Sequence, residues 1–585
     1  MIQVEKLSFS FPAKDLYNKV SFTIEAGKHC AFIGSNGTGK STLAEMIMYP
    51  EKYLYDGKIT IDESCRIGYV NQFAVRDKEQ DKTVFAYLSQ RFMENQAQTA
   101  AVCDQMAVAE DVEPLFEEYQ ALLDAFEAMD GDNYESNIHK KLYIAGMRDL
   151  ADTRLSELSG GEYKLLQVMR EMLLQPNLFI MDEPDVFLDF GNLNRLCQLI
   201  NSYKGTLLVI THNRYLLNHC FNKILHLENG DIQEFDGSYI AYRCALLREK
   251  LELMKQSKAE QEEIDRTEKM VADMRVRATA VSNASLGRAL NAKQTQLDRL
   301  RTRQIKAPFI EIREPKMTLP QVEIEDTQKE VLTINNYEVS FDKNLLEDVS
   351  FALHAGEKVA IVGENGTGKT TLMRDIILNN HPGIRIDENT NPACLSQLQG
   401  ENLDETKTVY EVMEDAGFES KEQIRAYLAN YCLEQDTLKQ PVSKLSGGEK
   451  NLLQLALVSA GDAKLLILDE PTSHLDIYAQ NALEKAISEY KGAVLMVSHD
   501  FYLVTNCADY ILLVSDKTVR RVRTRTFRKM VYEKYFDRKY LETDLKKQEL
   551  EKKITRSFKQ NDLISAENYC DQLEALSQQG SNYDS

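Results

Sequence analysis

At 585 residues, with a formal charge of −21 and ten cysteines, the chain is too long for a single hydrophobic core, so two or three domains are expected. The cysteines are scattered without a CxxC pair, which argues for a reducing cytoplasm and against iron–sulfur, zinc or disulfide roles. The charge is segregated: residues 271–306 carry a net +6, residues 517–559 a net +10 and the remainder −37, a pattern that fits either solvated faces or a machine that binds a polyanion.

The first predicted element is a strand, Ile2–Phe9, whose position leaves no room for a signal peptide. A second strand, Cys30–Ile33, runs into Gly34-Ser35-Asn36-Gly37-Thr38-Gly39-Lys40-Ser41-Thr42, and a helix is predicted to follow. Glycines in such a loop let consecutive backbone N–H groups turn inward around a β-phosphate at the positive end of that helix. Lys40 then reaches the β/γ oxygens and Ser41 places a hydroxyl on Mg²⁺. Such a loop alone would equally suit a kinase or a GTPase. Residues 91–140 hold twelve acids and only Arg91 and Lys140 as bases. Leu158-Ser159-Gly160-Gly161-Glu162 opens a helix whose glycines expose N–H groups to an anion. An apolar strand ends at Asp182, where a carboxylate can hold the Mg²⁺ shell, and Glu183 is the candidate to orient or deprotonate an attacking water. His212 follows the apolar run Thr206–Ile210, a placement that fits a γ-phosphate contact. That run has the length of a buried strand and is far short of a membrane span.

Beyond residue 239 the pattern turns helical. Ile240, Cys244, Leu247, Leu251 and Met254 recur at 4-3-4-3 spacing, and after a break at 282–287 Leu286, Leu290, Lys293, Leu297 and Leu300 repeat it. Two helices folding back as an antiparallel coiled-coil hairpin satisfy both stripes. About forty helical residues reach roughly 60 Å at about 1.5 Å each, far more than joining two domains requires. Cations gather at the far end: Arg275, Arg277, Arg288 and Lys293, with Arg299, Arg301 and Arg303 behind.

The earlier motifs then return in order. Strand Val359–Val362 leads into Gly363-Glu364-Asn365-Gly366-Thr367-Gly368-Lys369-Thr370-Thr371; Ser446-Gly447-Gly448-Glu449, Asp469-Glu470 and His499 follow. Ser159 and Ser446, Glu183 and Glu470, and His212 and His499 are each 287 positions apart, whereas Gln72 and Gln397 are 325 apart and Lys40 and Lys369 are 329 apart. This is a duplicated domain whose first copy carries 38 more residues between Gln72 and Ser159. Those residues are expected within about 91–140. After the second copy, Arg520–Arg525 leads into a lysine-rich helical stretch and a further amphipathic segment around Leu563–Leu576; a flexible basic tail is the other reading.

Together these P-loops, Gln72 and Gln397, the Leu-Ser-Gly-Gly-Glu segments, the Asp-Glu boxes and the two histidines resemble the ATP-binding cassette family. With the helical linker they resemble its ABC-F subfamily of ribosome-associated translation factors. The resemblance implies an α/β fold of two P-loop cassettes (1–238, with the helical insertion, and 326–520), joined by a helical hairpin linker (239–325) and followed by a basic helical extension (521–585). It implies a monomeric, cytoplasmic ATPase without a membrane domain, using ATP and Mg²⁺. Each nucleotide would lie between one P-loop and the other copy's signature: Lys40, Gln72, Glu183 and His212 with Ser446, Gly447 and Gly448; Lys369, Gln397, Glu470 and His499 with Ser159, Gly160 and Gly161. Gln72 and Gln397 would join Ser41, Asp182, Thr370 and Asp469 around Mg²⁺, and Glu162 and Glu449 complete the nucleotide-binding set. Phe11 and Phe341 stand where the family stacks an aromatic on adenine, with Phe9 as a rival. The linker would enter the ribosomal E site, with its seven cations on RNA of the large subunit and the P-site tRNA, near the peptidyl-transferase centre. The acidic segment would be either an arm toward a basic ribosomal protein or a plain enlargement of the cassette.

The first copy departs from the family pattern. Asp185-Val186-Phe187 replaces the Thr472-Ser473-His474 of the second, and Asn213 stands where the second has Asp500. Binding should persist at both sites while hydrolysis becomes unequal. Tuning or rescue of translation competes with antibiotic resistance by ribosomal protection. More distant readings are the ATP-binding subunit of a membrane transporter, which leaves the basic hairpin without a role, and a DNA-repair ATPase, whose long coiled coil or zinc module this chain lacks.

Overall fold

The computed structural model describes residues 2–11, 14–62, 65–71, 81–186, 188–280, 290–297, 299, 315–324, 326–340, 344–395, 403–535, 538–560 and 562–580. They belong to two compact units, one comprising Met1–Asp236 with Arg313–Tyr535, the other Gly237–Ile312 with Phe536–Ser585.

The first unit holds both cassettes. In the first, a six-stranded sheet runs in the order Ile67–Val70, Leu178–Asp182, Thr206–Ile210, His29–Ile33, Lys223–Glu228, Asp231–Asp236. Its pairs are parallel except the last. Leu178–Asp182 and Thr206–Ile210 are buried at every residue, as unbroken apolar strands must be when a parallel sheet is covered on both faces. The carboxyl ends of the parallel strands open on one edge, where such sheets gather their ligand loops. A three-stranded antiparallel sheet, Lys14–Ile24, Ile2–Phe11 and Asp56–Ile61, packs its apolar face into the same core. The second cassette repeats both sheets, the larger in the order Pro392–Leu395, Leu465–Asp469, Ala493–Val497, Lys358–Gly363, Tyr510–Ser515, Thr518–Arg523.

The helical layers show where the additional residues went. Thr83 caps Val84–Met106 through the Ala86 N–H, and Thr408 caps Val409–Asp415 at the equivalent place. The first helix has 23 residues against 7 in the second. Glu113–Ala128 then folds back along it, with Asn95 donating to the Leu122 carbonyl at 3.2 Å. Phe92 stacks on Tyr134 at 5.0 Å, tying the longer helix to Tyr134–Ile144. The additional residues therefore form a lengthened helix and one extra antiparallel helix.

The second unit is helical. Tyr239–Ala280 is a single helix of 42 residues, residues 290–297 form a return helix, and Arg538–Lys559 and Leu563–Gly580 complete it. Here the structure departs from the expected pairing. Cys244, with Ile240 and Leu247, packs on Leu550, Ile554, Cys570 and Leu573 of the C-terminal helices, and Leu251 with Met254 packs on Leu563 and Ala566. The return helix meets the long helix further out, Leu290 and Leu297 against Ile264 and Val271. Stripe spacing declares an apolar face without naming its occupant, and the C-terminal segment competes for the inner half. Ion pairs of Arg243 with Glu551 (3.2 Å), Arg248 with Asp571 (2.8 Å) and Lys255 with Glu567 (2.9 Å) border the inner contact. Being solvent-accessible, each contributes at most about 1 kcal/mol; the buried apolar groups supply most of the stability. Residues 281–289, including the turn of the hairpin, lie outside the described residues. Among the described residues no helix is long and apolar enough to cross a membrane.

Candidate active site

Each P-loop leaves a buried strand and enters a helix through a left-handed glycine. Gly39 has φ 102, and a Cβ there would lie 2.7 Å from the Tyr17 hydroxyl, which itself donates to the Gly39 carbonyl at 2.5 Å. Only glycine tolerates both the backbone conformation and the approach. Lys40 and Lys369 are buried. Lys40 Nζ donates to the Gly34 (3.0 Å) and Ser35 (2.9 Å) carbonyls, and Lys369 Nζ to those of Gly363 (3.0 Å) and Glu364 (2.5 Å). Burial pushes both ammonium pKa values down. Nearby carboxylates oppose it: for Lys40 the strongest is Asp476 of the other cassette, and for Lys369 it is Glu470, followed by Asp189 of the other cassette. Thr38 and Thr367 tie the loops internally through the Ser35 and Glu364 carbonyls, and Thr42 lies in the first turn of the helix Lys40–Met48.

Asp182 and Asp469 end their strands, each pushed up to about 6 by burial. The Ser41 hydroxyl opposes that burial and lowers Asp182. Among the described residues, the Oδ1 atoms of Asp182 and Asp469 are buried without a hydrogen-bond partner. A carboxylate and a hydroxyl held together beside a phosphate loop fit Mg²⁺. Glu183 and Glu470 come next at φ 45 and 47, strained values that over-determined functional positions sustain. Their amides donate at 2.9 Å to Ile210 and Val497 on the neighbouring strand. Burial pushes Glu470 up to about 8, and it pushes His499 down to about 4. Glu470 Oε1 lies 3.6 Å from His499 Nε2, and Glu470 also accepts from the His499 amide at 3.2 Å. Burial, then Lys40, hold His212 well below the ordinary histidine value, and both its ring nitrogens are without partners.

The two cassettes meet head to tail. The Asn36 amide donates to Asp476 Oδ2 (3.0 Å) and its side chain to the His474 carbonyl (2.6 Å), while the Asn365 amide donates to Asp189 Oδ2 (3.1 Å). Asp189 and Asp476 use their other oxygen to cap the following helices, accepting from Asn192 (2.9 Å) and Ala479 (2.8 Å). A cavity of about 670 Å³ brings Gly366, Lys369, Thr370, Thr371, Glu470 and His499 together with Gly160, Gly161, Glu183, Asp185 and His212; Gly160 and Gly161 are the residues expected opposite the second P-loop, whereas Glu183 and His212 were expected at the first. For the first, Gly448 lies so close to Asn36 that an added Cβ would collide with its amide. Ser159 and Ser446 are N-caps, and Glu162 and Glu449 close capping boxes with them (Ser Oγ to Glu Oε2 2.8 Å in both). The geometry thus turns those two carboxylates to the helix starts. Phe11 is the exposed ring of its pair, 46% accessible, whereas Phe9 packs into the core. Gln72, Gln397, Phe341 and Phe187 lie outside the described residues.

Sequence reading did not single out Asp189 and Asp476, although their 287-residue offset and helix-capping chemistry were available. Nor did it foresee how Asp185 is kept. The Thr211 hydroxyl donates to it at 2.7 Å, Lys164 lies near, and burial raises it to about 7. At the equivalents of Lys164 and Asp185 the second cassette has Asn451 and Thr472, with the Asn451 amide on the Pro471 and Ser473 carbonyls.

Of the predicted RNA contacts, Arg275 is exposed and donates to Gln294 Oε1 at 2.9 Å, Lys293 donates to Gln296 at 2.8 Å, and Arg299 is exposed. Arg277 falls on the long helix; Arg288, Arg301 and Arg303 lie outside the described residues.

Two P-loop cassettes, each presenting its helix starts and capping aspartate to the other's phosphate loop, define a tandem nucleotide-binding ATPase. The family model described as ABC transporter matches residues 17–186 and 346–473, and a second model of the same description matches 225–319. ABC transporter F family member 2 of Arabidopsis thaliana is 30% identical over 88% of this chain and 75% of its own length. The energy-dependent translational throttle protein EttA of Haemophilus influenzae is 28% identical over 86% and 90%. The chain belongs to the ABC family and, within it, to the ABC-F group of tandem-cassette ATPases. Among solved structures, the archaeal ribosome recycling factor aABCE1, in complex with the ribosomal stalk protein aP1, shares the fold at a TM-score of 0.53 and 16% identity, over 90% of this chain and 92% of that one.

Proposed function

We propose that this ATPase is a cytoplasmic, monomeric ribosome-associated factor. It binds the E site with two ATP molecules held between its cassettes, tunes or rescues translation through the linker, and leaves on hydrolysis. Lys40 and Lys369 hold the β/γ-phosphates, Ser41 with Asp182 and Thr370 with Asp469 hold Mg²⁺, and Phe11 stacks on adenine. Mg²⁺, when bound, neutralises charge developing on the transferred phosphoryl group. Glu183 and Glu470 orient and deprotonate the attacking water. His212 and His499 contact the γ-phosphate, and Ser159, Gly160, Gly161, Ser446, Gly447 and Gly448 close over it from the opposite cassette.

The observation that carries the ribosomal part is the 42-residue helix Tyr239–Ala280, about 63 Å long at about 1.5 Å per residue. It has Arg275 at its distal end and Lys293 and Arg299 on the return. Cations so placed neutralise RNA phosphates and make binding salt-dependent. The names of the relatives, a translational throttle protein and an F family member, support the same reading. The test is co-sedimentation of Glu183→Gln/Glu470→Gln with ribosomes in ATP. Retention on the large subunit or whole ribosome, weakening steeply with salt, is expected. A variant that stays in the supernatant at low salt refutes the reading.

A further inference from the structure

Besides the nucleotide loops, a buried arginine joins the two cassettes. Arg214, 9% exposed, begins the short helix Arg214–His219, two residues after His212. Its guanidinium reaches the other cassette. Nη2 lies 3.3 and 3.2 Å from the two carboxylate oxygens of Asp500 and also pairs with Glu484, Nη1 donates to Asn481 Oδ1 at 3.2 Å, and the group stacks over the Tyr502 ring at 4.6 Å. Asp500 directly follows His499, and its Oδ1 caps the next helix by accepting from Tyr502 (2.9 Å) and Leu503 (3.2 Å). Its own amide is anchored on Ser498 at 3.0 Å. Glu484 stands on Ile477–Glu489, the helix capped by the Asp476 that touches Asn36, and it also holds Asn506 at 3.1 Å.

Packing alone does not call for a charge here. The duplicated position is Phe501, which meets Phe190 edge-on at 5.8 Å, so the pseudo-symmetric half of the interface is closed by two aromatic rings. Burying a guanidinium is costly unless it is paired; among the described residues Nε finds no partner, and Nη2 pairs with the loop that carries the other site's histidine. We infer that Arg214 is a positioning residue that links the two histidine loops, so that the state of one nucleotide site sets the geometry of the other. A planar guanidinium that donates from Nη2 to Asp500 and from Nη1 to Asn481 while lying over an aromatic ring fixes direction as well as distance, so a shift of either loop moves its partner.

The test builds on the proposed roles of Glu183 and Glu470. If the sites are independent, ATP turnover of the intact chain equals the sum for Glu183→Gln and Glu470→Gln measured separately. The native chain is expected to exceed that sum at least fivefold, and the same comparison in an Arg214→Met background to agree within twofold. A merely structural loss scales all three rates together and leaves their ratio unchanged, so it is distinguishable. Arg214→Lys, which keeps the charge without the fork, should give an intermediate ratio. If Arg214→Met does not fold, Glu484→Gln is measured in its place and should also lower the ratio. A native chain that obeys the sum, or an Arg214→Met chain that keeps the excess, overturns the link. Should both carboxamide variants hydrolyse at the full rate, the roles given to Glu183 and Glu470 fail. The link is then read from the Hill coefficient for ATP, which Arg214→Met should bring to about one and which, if unmoved, refutes it.

Discussion

Gly448→Ala tests the head-to-tail contact at the first P-loop with a single methyl group. The added Cβ would collide with the Asn36 side-chain amide and stand 2.7 Å from the His474 carbonyl oxygen. The amide can swing away only by giving up its 2.6 Å hydrogen bond to that carbonyl, a loss of about 1 kcal/mol. Asn36 comes from the other cassette, so overpacking it, at about 1–3 kcal/mol, disfavours assembly of the site. Together they disfavour the assembled site by about 2–4 kcal/mol, on the order of 30- to 1,000-fold at about 1.4 kcal/mol per decade. Gly448 lies in the first turn of the helix Gly447–Ala460, where the higher helix propensity of alanine offsets part of the crowding against the His474 carbonyl of the same cassette. The assay is ATP turnover at saturating nucleotide, alongside thermal melting. A drop of at least tenfold with a melting temperature held within about 3 °C is expected, and adding Asn36→Ala should recover only part of it. Turnover within twofold of native would refute the reasoning.

Glu470→Gln should remove more ATPase activity than Glu183→Gln, because the two boxes differ at Asp185 and Val186 and Glu470 lies 3.6 Å from its histidine; equal losses would count against the asymmetry. Leu573→Ala empties a fully buried position of the helical unit and should cost about 2–4 kcal/mol. Faster hydrogen exchange along residues 240–255, with cassette amides unchanged, would report it. Ser446→Ala removes an N-cap and its capping box, costing about 1 kcal/mol, which differential scanning calorimetry should register as a fall of about 2–4 °C.

The phosphate loops, boxes and histidines were legible because their chemistry is local: a glycine that must turn left-handed, a carboxylate at a strand end, a serine three residues before a glutamate. The 287-residue offset even located the insertion, since Tyr134–Ile144 and Lys421–Leu428 begin that distance apart. Partners distant in sequence were not legible. The stripe Ile240–Met254 was assigned to the return helix, because spacing carries no information about what covers it. Arg214 gave no signal, being one arginine beside an asparagine. Phe9 and Phe11 differ only in which side of a bulged strand each faces, and the register shifts between Leu7 and Ser10 break the alternation that would have separated them.

The helical unit is stitched from segments roughly 300 positions apart, Cys244 meeting Leu550 and Cys570. At about 5–20 residues polymerised per second, the inner stripe waits on the order of a quarter to a whole minute for its cover. During synthesis it is an uncovered greasy seam, open to chaperones. A product released early, before residue 550, keeps that seam. Helices Arg538–Lys559 and Leu563–Gly580 thus close the seam only after both cassettes have been made.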